Sequence, residues 1–348
     1  MDCLHSVLHY SNQQMQNNND RRRKPPKKYS VNRENNRESL KTCGLLLIQK
    51  MMMRIAREGQ GNKKLCMYMD EMLHSIFFLG HIYEHRLTPR EFFSLPKVLE
   101  TVSSSFSEPF KKYSSHLPTR TPFSILLDMM EILYSTKRLK EELLHLLKEM
   151  KFPNPLHKPG SKQEQYYTLE STVICECSDS DSQKYYGASL CCRKGAAKEI
   201  LIDLSCLQLW HKYVSHAVMS FSSGGGDGIT FPGSLRCQAY VRDRKRNVYE
   251  EKQPCSNCGR MFNLQDANPD KVEYPFGNCA ETECLSKLLI NNQYMRENAV
   301  INNHTEEKLE ELRSSTEARL IKQLVKVGIE VSDNNLLFYD PFQMQTGD

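Results

Sequence analysis

Glu170-Ser171-Thr172-Val173-Ile174-Cys175-Glu176-Cys177 marks the point where the grammar of this chain changes. Before it, apolar residues recur every three or four positions, as amphipathic helices require. From it onward they come in short runs rich in β-branched residues and cysteine, bounded by polar turns, as strands require. Tyr185–Cys192 and Glu199–Leu204 repeat the pattern, separated by polar turns at 178–182 and 193–198, so three strands are predicted over 170–204. A helix over 207–221 carrying Trp210, His211 and His216 follows, then a strand at Ser234–Val241 and a charged turn at Arg242–Arg246. Helices are predicted over 278–291 and 305–327, with short strands within 325–331 and 335–339. The loop Gly224-Gly225-Gly226-Asp227-Gly228 lacks the Gly-Lys-Ser/Thr of a phosphate loop and the spacing of a dinucleotide fingerprint.

Upstream, Leu45, Leu46, Ile48, Met51, Met52 and Ile55 keep helical spacing, as do Leu65, Met69, Met72, Leu73, Ile76, Phe77 and Ile82. Thr88-Pro89-Arg90-Glu91 is a helix-start signature, with Thr as cap, Pro at the first helical position and Glu at the third. Ile125–Leu133 and Leu139–Met150 complete four or five helices. Met51-Met52-Met53 reads as core filling. His74, His81, His85 and His145 have no carboxylate or cysteine partner at ligand spacing and read as core or surface residues. The expectation is an α+β or α/β protein with an N-terminal all-helical domain at 39–150, a Pro/Gly-rich linker at 151–164 and a second domain at 165–348 that mixes helix and sheet.

Residues 1–38 are rich in Asn, Gln, Arg and Lys with almost no apolar periodicity, so a disordered basic tail is expected. Its run at 21–28 fits a nuclear-import signal or a solvated tail. The chain of 348 residues carries a net charge of +5, much of it in that run, so no global basic field for nucleic acid is implied. No stretch reaches the roughly 20 apolar residues of a membrane span. The start lacks the features of a secretory signal, and 13 cysteines in such a chain imply a reducing compartment, nucleus or cytoplasm.

Chemistry concentrates in Pro254-Cys255-Ser256-Asn257-Cys258-Gly259 and Asn278-Cys279-Ala280-Glu281-Thr282-Glu283-Cys284. Two thiolates on a tight turn, met by one or two more from a helix start, suit tetrahedral Zn2+. In a helix from Asn278, Cys279 and Cys284 stand about 140° apart around the axis. Three protein thiolates with water or a histidine therefore fit better than a closed four-cysteine site. Glu281 has two readings: a proton carrier beside the metal, or the partner of Asn278 in a capping box.

Cys-x-Glu at a helix start together with Pro-Cys-x-x-Cys resembles the zinc site of the cytidine deaminase-like superfamily. The resemblance covers residues 170–295 at most. It implies a three-layer α/β domain in which Cys279, Cys255 and Cys258 hold zinc and Glu281 is the catalytic acid/base. That family places its first ligand before Pro-Cys-x-x-Cys, whereas this chain has the reverse order. In the upstream position stands His216-Ala217-Val218, which has a ligand but no glutamate. The alternatives are an inactive site of His216, Cys255 and Cys258, or a rearranged one recruiting Cys279 and Glu281. Three function classes follow: a zinc-binding protein with an inactive deaminase-like domain, whose helical domain binds a protein partner; an active zinc-dependent nucleobase or nucleotide deaminase; and a nucleic-acid binder using residues 21–28 and the arginine-rich segment 236–246.

Overall fold

The computed structural model describes residues 28–150, 169–180, 183–192, 195–268, 274–331 and 335–343. The basic run up to residue 27 and the expected linker at 151–164 lie outside them. The chain divides into two compact units. One comprises Met1–Pro118, His145–Leu169 and Leu337–Asp348; the other comprises Thr119–Leu144 and Glu170–Leu336.

The first unit is helical: α1 (Lys28–Glu58), α2 (Lys63–His81), a 3-10 turn (Pro89–Phe92), α3 (Pro96–Ser105) and α4 (Ser107–Lys112). Helix α1 starts eleven residues before Ser39, which corrects the expectation of disorder for 28–38. A helix nucleated by an apolar stripe gains one hydrogen bond per added residue, so it propagates into polar sequence that carries no stripe of its own. Leu47, Ile48, Met51 and Met52 of α1 are buried, as are Leu65, Met69, Met72, Leu73, Ile76 and Phe77 of α2. The Thr88 amide donates to the Glu91 carboxylate at 2.7 Å, yet this capping box opens only the 3-10 turn. The stretch expected as a strand at 335–339 forms a single bridge between Phe338 and Leu117. There the Tyr339 ring is buried and stacks on His74 at 3.8 Å.

Helix α5 (Pro122–Glu149) is interrupted at Ser135, where φ is +60°. Its residues up to Leu144 count with the second unit. That unit continues with β1 (Val173–Asp179), β2 (Tyr185–Ala188), α6 (Ala196–Gln208), α7 (Lys212–Ser222), β3 (Ile229–Thr230), β4 (Leu235–Asp243) and β5 (Val248–Lys252). It ends with α8 (Ser256–Phe262), α9 (Ala280–Asn291), α10 (Gln293–Asn298), β6 (Val300–Ile301) and α11 (Glu306–Lys326). The main sheet runs β2-β1-β4-β5 and every pairing is antiparallel; β3 and β6 form a separate antiparallel pair. The unit thus mixes helix with an antiparallel sheet, and a parallel α/β sheet is not what forms.

Glu199–Leu204, expected as a strand, lies inside α6. All but Glu199 of that run is buried, Asp203 included, so burial gives no period to separate helix from strand. Val325 and Lys326 end α11, and no strand forms at 327–331.

Alternation along β1 gives the sheet two distinct faces. Glu176 and, across the register, Tyr186 and Tyr240 point to the α5 side, where Tyr186 donates to the Thr136 carbonyl at 3.0 Å and Lys140 Nζ lies 4.0 Å from the centre of the Tyr240 ring. Cys175, Cys177, Gly187 and Cys237 point to the other side, which α9 covers. Gly187 is obligatory for that packing. A Cβ there would lie 2.4 Å from both the Ala280 carbonyl oxygen and the Cys284 amide nitrogen, so only a bare backbone lets the first turns of α9 approach.

Candidate metal centre

Two helix starts meet at the first cysteine triad. Cys255 is the residue before α8, Cys258 sits in that helix's first turn, and Cys279 is the residue before α9. The amide of Gly259 donates to the Cys255 carbonyl at 2.9 Å, closing the turn that brings both Pro-Cys-x-x-Cys sulfurs to one side. The amide of Asn268 donates to the Pro254 carbonyl at 2.8 Å and ties the entry down. Cys255 Sγ and Cys279 Sγ are 3.4 Å apart, and all three sulfurs lie within 4.8 Å of one another. Tetrahedral zinc with bonds of about 2.3 Å separates its ligand sulfurs by roughly 3.8 Å, so the donor set fits such an ion in chemistry and spacing.

The thiols share charge unequally. The Cys258 side chain, then that of Cys279, then the amides of Cys258 and Asn257 hold the Cys255 thiol well below its usual range. Contact with Cys255 in turn pushes Cys258 and Cys279 up. A soft cation binding the triad would displace the protons its thiols carry.

The triad opens onto a cleft of about 810 Å³ lined by Cys255, Cys279, Glu281, Lys198, Asn278 and Tyr274 among others. Cys258 is fully buried, whereas Cys255 and Cys279 are half-buried. Lys198 donates to Asn278 Oδ1 at 2.5 Å. Glu281 lines the cleft although it is only 4 % exposed. Burial, followed by the nearby Cys237, pushes its carboxyl up to about 7. The capping-box reading of Glu281 fails on frame. The helix begins one residue later than Asn278 predicts, with Cys279 as the cap, so Glu281 occupies the second helical position and Thr282 the third.

His216 belongs to neither triad among the described residues. Its Nε2 is 3.3 Å from Asp227 Oδ2 and its Nδ1 is 3.0 Å from His304 Nδ1, so a second buried network takes both ring nitrogens. Cys284 also stands apart from the first triad: its thiol donates to the Tyr185 carbonyl at 3.1 Å beneath the sheet. A further triad, Cys175, Cys177 and Cys237, lies on the sheet face and was not read from the sequence. The available signal was Cys-x-Cys in a strand, which puts two thiols on one face.

The arginine-rich hairpin binds largely to itself. Arg242 is buried and donates to Glu170 at 2.6 Å and to Asn247 at 2.7 Å, while Arg246 pairs with Asp243 and Glu250. Among the described residues no helix is long and apolar enough to cross a membrane. Compared with protein-family models, curated proteins and solved structures, the chain matches none.

Proposed function

We propose that this chain is a zinc-dependent hydrolase of the deaminase type, replacing an amino group of a nucleobase or nucleotide by oxygen from water. One observation carries the reading: of three thiols with zinc spacing, Cys255 and Cys279 line a cleft together with a buried carboxyl, Glu281, two residues from Cys279. Bound there, zinc would supply a water whose pKa is lowered towards neutrality. Cys255, Cys258 and Cys279 are the ligands, fixed by two helix starts that the sheet and Gly187 hold in place. Glu281 takes the proton from the attacking water and delivers it to the departing amine, which leaves as ammonia. Asn278 and Lys198 in the cleft offer polar contacts to a bound heterocycle.

The noncatalytic reading shares the metal site and differs only at Glu281. The nucleic-acid reading gains no support from the 236–246 segment, whose Arg242 and Arg246 are already paired. The test is ammonia release from a panel of cytosine and adenine bases, nucleosides and nucleotides by the zinc-loaded chain and by Glu281→Gln. Turnover by the parent is expected, with Glu281→Gln keeping its zinc and losing about 10²-fold or more in rate. Full zinc occupancy with no ammonia from any member of the panel rejects the enzyme and leaves the noncatalytic protein.

A further inference from the structure

We propose that Cys175, Cys177 and Cys237, with Cys284 as fourth donor, form a second zinc site that is structural rather than catalytic. It does not rest on the reading of the first triad. Residues two apart in a strand share a face, so β1 places Cys175 and Cys177 side by side. The β1–β4 register sets Cys237 directly opposite Cys177, on that same face. The three sulfurs form a nearly regular triangle with edges of 3.7, 3.5 and 3.3 Å. One face of a zinc–sulfur tetrahedron has edges of roughly 3.8 Å at bonds of about 2.3 Å. Sulfurs this close fit a single ion; an iron–sulfur cluster spreads its ligands over several irons.

The fourth vertex points to α9, which packs on this face. Cys284 is fully buried there and interacts electrostatically with Cys175 and Cys177, although its sulfur lies outside the group within 4.8 Å and donates to the Tyr185 carbonyl. Buried cysteines often serve as small apolar fillers. These thiols do belong to the apolar cluster under the sheet, but a filler role does not explain why each of the three also touches the other two. Thiols are weak donors and acceptors, so such a cluster gains little from its own hydrogen bonds.

Environment separates the two triads in role. Cys175, Cys177 and Cys284 have no exposure, no carboxylate or histidine joins the group, and a closed all-thiolate set leaves no position for water. Cys237 alone is partly exposed and lines a separate cleft of about 840 Å³ with Arg236, Pro254 and Phe262, which gives an ion a way in. The first triad opens through Cys255 and Cys279 to a cleft beside Glu281; the second reaches its cleft through Cys237 alone.

The test is metal content and cobalt titration of the full chain and two variants. The parent is expected to take up about two ions per chain, with thiolate-to-cobalt absorption saturating near two equivalents. The double variant Cys255→Ser/Cys279→Ser leaves the sheet face untouched and should retain about one ion. Cys177→Ser should lose that ion and keep the one at the first triad. Because Cys177→Ser alters the core, the double variant decides the matter: if it binds no metal, the second site does not exist. Saturation of the parent at one equivalent that Cys177→Ser leaves unchanged, or a linked Cys177–Cys237 peptide from chain isolated without reductant, overturns the proposal equally.

Discussion

Cys279 and Cys284 show how far a single residue's role follows from local geometry. Their five-residue interval turns them about 140° apart on a helix, and α9 sends one to the Pro-Cys-x-x-Cys turn and the other under the sheet. Cys279→Ser should therefore weaken zinc at the first triad by more than the about 10–100-fold that losing an outer-shell partner costs. Cys284→Ser should leave that affinity within about threefold. Competition with a chromophoric chelator measures both, and equal losses would show that one centre draws on both cysteines. These thiols were legible because a helix start fixes its first-turn side chains within a few residues of sequence. Cys237 was not: its partnership with Cys177 depends on a strand register set sixty positions away. His216 was misplaced for a related reason. Its ring is held by Asp227, which also accepts from Ser220 at 2.7 Å, Asn303 at 3.0 Å and Lys308 at 2.6 Å, contacts made by a loop that no helical period announces. Asp227→Ala strands all of these groups and should cost about 2–4 kcal/mol in denaturant unfolding; a loss under about 0.5 kcal/mol would show the network to be incidental.

Between elements, the decisive contact is the one α9 makes with β2. The helix carries Cys279 and Glu281 at its start and Cys284 one turn later, so its seating on the sheet sets both thiol groups at once. Gly187→Ala puts a methyl into backbone atoms that cannot rotate away, and the helix start must lift. The expected cost is about 1–3 kcal/mol, the range for overpacked cores, together with weaker zinc binding at the first triad. Thermal unfolding with and without zinc reads both, and unchanged stability and affinity would mean that α9 does not bear on Gly187. The sequence announced α9 through its helix-start residues and β1 through its β-branched run, but nothing in it showed that Gly187 was the seat. That information sits in a contact between segments nearly a hundred residues apart. The same limit explains Glu199–Leu204, where burial on every side of α6 erased the period on which helix and strand are told apart.

At the scale of the whole chain, neither compact unit is a continuous stretch. The helical unit takes back residues from 337 onward, and the sheet unit borrows 119–144. A boundary drawn at a single linker misses this, because return segments are short and carry little pattern of their own. In the helical unit the returning strand of chain is fastened by Tyr339, whose hydroxyl donates to Asp70 and whose ring covers His74. Burial, offset in part by the Tyr339 bond, raises the Asp70 carboxyl to about 6 from an ordinary 3.8. A folded-state pKa above the unfolded one means that the protonated carboxyl favours folding. This contribution is full below pH about 4 and is lost as pH rises through about 6. It amounts to about 2–3 kcal/mol at 1.36 kcal/mol per pH unit, trimmed for the group's partial exposure. Asp70→Asn keeps an acceptor for Tyr339 without the titration. The stability of the parent minus that of the variant, from urea unfolding at a series of pH values, should fall between pH 4 and 6 and stay level above. A difference that is flat or rising across that interval would show that burial does not hold the Asp70 carboxyl above its ordinary range.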